Sequence, residues 1–285
     1  MIPKETEAGS ISGSRDSLPP GPHGLASFDS RLVILLAPVL VSAAAILVRM
    51  SPLGFLLEGL HIWIHELGHA SVSWLSARPA VPLPFGWTNV QPYKSPLLYA
   101  VILLGLGALA FAGWRERTTW AIGFASALAC LQGYMTWRLS ENDEHLWMIF
   151  GGVGGEFYIS AAMVALFFVE LPDWFCWGRC RYAVLFIGAA SFYETYSFWR
   201  KVRRGLEGIP YGSMINGEDD GGGDMNILHD DYGWSQHRII HAYSHLGDAC
   251  VAGLLAVYLF YGLRLNRLIH PVLLRAFPVG GADGR

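Results

Sequence analysis

Seven windows of this chain run for about the length of a membrane-spanning helix with almost no charge: 32–48, 53–77, 96–114, 118–137, 146–171, 182–199 and 239–263. About 20 residues at 1.5 Å each cross the roughly 30 Å hydrocarbon core of a bilayer, so every window is of spanning length or close to it. The composition agrees, at 53% hydrophobic and only 15% charged, where a soluble domain carries about 25% charged residues. The expected fold class is therefore an all-α polytopic membrane protein with about seven transmembrane helices. A soluble all-α protein with buried helices is the competing reading, and the number of long windows counts against it.

Organisation around these windows is simple. Residues 1–30 are polar and rich in Ser, Gly and Pro, without the apolar run of a signal peptide, and read as a flexible tail. A membrane-embedded domain is expected over 31–270 and a short C-terminal tail over 271–285. Lys and Arg are only slightly commoner on the N-terminal side of a seven-span arrangement. The densest cluster is Arg200, Lys201, Arg203 and Arg204, which favours a cytoplasmic N-terminus. The net charge of −3 and the lack of a basic patch give no sign of a nucleic-acid partner. Cys130, Cys176, Cys180 and Cys250 have no paired spacing of the zinc-ribbon kind and read as structural thiols.

Within the second window stands "HIWIHELGHA", residues 61–70. His61, His65 and His69 recur every four residues and share one helix face. Burying them with Glu66 in hydrocarbon costs several kcal/mol per group unless something compensates, and a metal ion would. His65-Glu66-Leu67-Gly68-His69 is H-E-x-x-H: two imidazoles one turn apart can share a Zn²⁺ ion, and the intervening glutamate stands beside the metal as general base and then acid. A polar helix face lining a water-filled crevice is the metal-free alternative. His61 extends the same face, and ligation, a supporting or gating role and a satisfied core histidine all stay open for it.

The motif, set in an apolar window and followed by Ser71, Ser73 and Ser76, resembles that of the site-2 protease family of intramembrane zinc metalloproteases. It is most similar to the compact bacterial branch that lacks a PDZ domain. Two further stretches carry the resemblance: "GGVGGEFYISAAMVALFF" (151–168), similar to the family's glycine-rich turn and apolar helix, and "GGGDMNILHDDYGWS" (221–235), similar to a late segment in which an aspartate supplies the third zinc ligand. The resemblance implies Asp224 as that ligand, with neighbouring Asn226 orienting it or contacting substrate. It also implies a substrate that is itself a membrane protein with a transmembrane segment, and a location in the lipid bilayer of the bacterial inner (cytoplasmic) membrane. The chain departs from the family in lacking a Leu-Asp-Gly motif and in carrying Glu156 where asparagine or a small residue is typical.

The residues alone leave the third ligand open. Asp224 follows three glycines. Glu156 is an isolated acid in an apolar window and so a functional candidate by default, as ligand or as a supporting acid. Asp220, Asp248 and Glu194 also compete, the last two with His241, His245 or arginines as alternative partners. The glycines at 151, 152, 154 and 155 would let another helix approach closely. Residues 78–96 contain five prolines, which forbids a continuous helix. An extended edge there could pair with an unwound substrate, or the segment could be an interfacial loop anchored by Trp87 and Tyr93.

The expected activity is zinc-dependent hydrolysis of a peptide bond in or near a substrate's transmembrane segment, with His65, His69 and a third acid on zinc and Glu66 as base. Two alternatives remain: a zinc-dependent hydrolase of a lipid amide or ester, and a non-enzymatic metal- or proton-binding membrane protein.

Overall fold

The computed structural model describes residues 30–115, 118–169, 177–212 and 221–265. Apart from Ser30, both expected tails lie outside the described residues, as do Cys176 and Asp220.

Eight α-helices, one short 3-10 helix (Pro52–Leu57) and one β-hairpin make up the described chain: α1 (Arg31–Met50), α2 (Glu58–Leu75), β1 (Ala80–Leu83), β2 (Trp87–Val90), α3 (Pro96–Arg115), α4 (Thr119–Trp137), α5 (Glu141–Leu166), α6 (Trp177–Arg203), α7 (Asp224–Asp230) and α8 (Gln236–Gly262). By length and composition, α1, α3, α5 and α8 can cross a membrane. The other three windows do form helices, but polar residues dilute them: the histidines and glutamates of α2, Gln132 and the tryptophans of α4, and the arginines of α6. Four apolar helices of spanning length, rather than seven, is thus the count among the described residues. The outer faces of α1, α3 and α4 expose Leu36, Leu40, Leu97, Leu104, Phe111, Phe124 and Leu131. In water that would be an apolar surface far larger than a soluble monomer shows.

Several helices start before their apolar windows because polar caps start them. Ser140 accepts from the Asp143 backbone N–H at 3.1 Å and opens α5, and Ser235 accepts from Arg238 N–H and opens α8. Each satisfies one of the donors a helix N-terminus leaves free.

The centre of the molecule is α5, which lies against α2 on one side and α6 and α8 on the other. Glycines make the α2–α5 approach close: a β-carbon on Gly68 would overlap the carbonyl oxygen of Gly151, and one on Gly155 would overlap the Cα of Gly68. Backbone therefore meets backbone, as small residues allow between packed helices. Below this contact Ile149, Val153 and Phe157 of α5, Trp199 of α6, Met225 and Leu228 of α7, and Tyr243 of α8 form the principal core cluster. That cluster anchors the short α7, which a seven-residue helix cannot do by itself.

The proline-rich segment folds as an antiparallel hairpin, with Ala80 opposite Val90 and Leu83 opposite Trp87. Its three-residue loop ends on Gly86 with φ +79°, the left-handed position such loops reserve for glycine. Trp74 of α2 donates from Nε1 to the Ala80 carbonyl at 2.9 Å, tying the hairpin to the motif helix. Trp87 and Tyr93 are both exposed.

Candidate metal centre

On α2, His65 and His69 stand one turn apart, and both turn Nε2 towards the first residue of α7. The Nε2 atoms are 3.2 Å from each other, and Oδ2 of Asp224 is 3.2 Å from His65 Nε2 and 3.3 Å from His69 Nε2. The three atoms form a nearly equilateral triangle. Ligands bound tetrahedrally to zinc at about 2.0–2.1 Å stand about 3.3–3.4 Å apart, so the triangle fits one face of such a site.

The far side of each ring argues the same way. His65 Nδ1 is 2.7 Å from Glu156 Oε1, and His69 Nδ1 is 2.8 Å from the Met148 carbonyl oxygen. Both partners accept, so both Nδ1 atoms carry the proton. In its neutral form a ring held this way presents a lone pair at Nε2, the arrangement in which an outer hydrogen bond orients a metal-binding histidine. Asp224 Oδ2 is buried and has no hydrogen-bond donor. Three lone-pair atoms facing one another without a proton between them repel unless a cation lies among them.

Gly152 leaves the space for one. A β-carbon at that position would lie 2.5 Å from Asp224 Oδ2, 2.5 Å from His69 Nε2 and 2.6 Å from His65 Nε2, almost equidistant from all three. The glycine thus keeps a side chain out of the point on which the donors converge.

Glu66 is buried on the same helix. Its Oε2 accepts from the Thr88 hydroxyl at 2.6 Å, and the same hydroxyl lies 3.0 Å from the Glu66 main-chain carbonyl. Glu66 and the three donor residues line one cavity of ≈ 630 Å³, which Trp87, Thr88 and Val90 of β2 border and no residue of β1 does. The hairpin therefore presents β2 to the cavity.

Each residue singled out in the sequence has a defined place. Glu156 is not part of the donor triangle: it accepts from His65 Nδ1 and, through Oε2, from Thr195 Oγ1 at 2.6 Å. His61 shares a 2.8 Å hydrogen bond with Ser191 and has Nε2 3.4 Å from Glu156 Oε2, so it supports Glu156 and does not face the triangle. Asn226 accepts from the Gly212 N–H at 2.7 Å and ties that residue to α7; a β-carbon on Gly223 would overlap the Gly212 carbonyl oxygen. Glu194 pairs with Arg49. Asp248 accepts from Tyr196 and Arg203, not from His241 or His245. Thr88, Thr195, Ser191 and the Met148 carbonyl were not anticipated. Hydroxyls and carbonyls carry no motif, and only the fold brings them to the site.

No family model matches this chain, and no curated protein or solved structure matches it closely enough to count as a relative.

Proposed function

We propose that the protein is a polytopic intramembrane metallopeptidase that binds one Zn²⁺ ion through His65, His69 and Asp224 and hydrolyses a peptide bond in or near a substrate's transmembrane segment. The observation that carries this reading is the triangle of three lone-pair donors at 3.2–3.3 Å over the open face of Gly152, with Glu66 on the same helix. Two histidines and a carboxylate leave a fourth position free, as a catalytic rather than a structural zinc site requires.

When bound, zinc supplies a Lewis acid for the scissile carbonyl and a water whose pKa falls to about 7. The chain's own residues do the rest. Glu66 takes the proton from the attacking water and gives it to the leaving amine, and Thr88 fixes which way the carboxylate points before it does so. Glu156 and the Met148 carbonyl hold the two imidazoles in the tautomer that leaves Nε2 free.

A peptide substrate is supported by the hairpin. A helix hides its carbonyls in hydrogen bonds, so a transmembrane substrate must unwind locally to be cut. The unpaired edge of β2 beside Glu66 offers backbone partners to such an unwound strand. The outward apolar faces support a membrane location, and the bacterial inner membrane is the part of the reading that rests on the motif resemblance alone. The test is co-reconstitution with a panel of single-span membrane proteins. The reading expects wild type to cleave at least one and Glu66→Gln to cleave none while keeping its zinc. Cleavage undiminished in Glu66→Gln would refute it.

A further inference from the structure

A second set of histidines lies outside the central cavity. His237, His241 and His245 follow one another at four-residue intervals in the first turns of α8, and none of them lines that cavity. The spacing puts them on one face, and His237 and His245 are exposed. Neighbouring rings are in contact: His237 stacks on His241 with centroids 4.0 Å apart and planes at 29°, and His241 Nδ1 lies 3.4 Å from His245 Nε2.

Three imidazoles in line repel one another once protonated, and among the described residues no acid pairs with them. Asp248, the nearest carboxylate along the same helix face, is engaged by Arg203 at 3.1 Å and by the Tyr196 hydroxyl at 3.0 Å. Arg238 is stacked over the Trp234 ring, 4.1 Å from its centroid. The histidines are therefore an electron-rich, outward-facing group with nitrogens to spare.

We propose that His241 and His245 form a second metal site, taking a divalent transition ion of the imidazole-binding kind such as Zn²⁺, Cu²⁺ or Ni²⁺. The 3.4 Å between Nδ1 of one ring and Nε2 of the next matches the spacing of two nitrogens on one tetrahedral ion at about 2.1 Å. Hard oxygen-seeking ions such as Mg²⁺ are excluded by an all-nitrogen donor pair. His237 packs on the outer face of His241 and holds that ring in place. The site has two protein donors where the central one has three, so it binds more weakly and in exchange with solvent. Loading it bridges two successive turns of α8.

The proposal is independent of any catalytic role for the central site. Full-length protein in detergent, stripped of metal, is dialysed against graded zinc and the bound metal counted per chain. Wild type should bind a tight equivalent and a second, weaker one. His241→Gln/His245→Gln should lose the weaker equivalent and keep the tight one, His65→Ala should do the reverse, and His237→Gln should keep both. The proposal is overturned if wild type binds only the equivalent that His65→Ala removes, or if a second equivalent survives in the double variant. Loss of the weak equivalent in the double variant with no tight equivalent in any protein would support this site and refute the central one.

Discussion

Oδ2 of Asp224 lies 3.2 Å from Nε2 of His65, although the two residues sit on helices far apart in the chain. This contact closes the donor triangle. Asp224→Asn should keep the shape of the side chain and remove its anionic oxygen. Zinc affinity should fall more than about 100-fold, beyond the 10–100-fold cost of disturbing an outer partner. Competition with a chelator of known strength measures it.

Glu156→Gln should fall inside that 10–100-fold range. Its amide can still accept from His65 through the oxygen, but with a weaker, uncharged hydrogen bond. The ordering of the two variants in one chelator titration decides which acid is the ligand. Glu156→Gln losing more zinc than Asp224→Asn would reverse the assignment.

Gly152→Ala should separate folding from metal binding. The three atoms nearest its β-carbon, at 2.5–2.6 Å, are the donor atoms at the ends of three side chains, so the methyl group should displace those side chains rather than the helix backbone, and metal-free protein should stay folded. Zinc should not bind, because the methyl group occupies its place. Gly68→Ala should behave in the opposite way: its β-carbon would meet the α5 backbone, and overpacking of this kind costs about 1–3 kcal/mol. Thermal melts of both variants, without and with zinc, check the contrast.

Thr88→Val should leave zinc bound and slow hydrolysis. A hydrogen bond to a charged group contributes about 1.5–3 kcal/mol. If that orientation is needed at the transition state, kcat/KM should fall by about 10–100-fold, while Thr88→Ser should restore most of it. Equal loss in both variants would mean that the hydroxyl does not orient Glu66.

Much of this arrangement is legible along the chain because it is local. The two histidines of α2 are one turn apart in sequence and therefore on one face in space. The glycines of α5 mark a close helix approach, and α2 makes it at Gly68. Prolines at 79, 82 and 84 forbid a helix where the hairpin stands. What the sequence leaves open is non-local. Asp224 and Glu156 are both acids near glycines, and only the packing of α7, through Met225 and Leu228 in the cluster with Trp199, decides which one meets the histidines. Helix ends are hidden for a different reason: apolar windows mark the lipid-compatible stretch, whereas Ser140 and Ser235 start α5 and α8 outside it through polar caps. The histidines and glutamates of α2 and the arginines of α6 lower the apolar character of those two helices.

The central claim is that His65, His69 and Asp224 hold a zinc ion. The most direct measurement is the zinc content of protein purified without added metal and dialysed against a weak chelator, comparing wild type with His65→Ala. The account predicts one zinc per chain in wild type and essentially none in the variant. Wild type without zinc, or His65→Ala with a full equivalent, would contradict it.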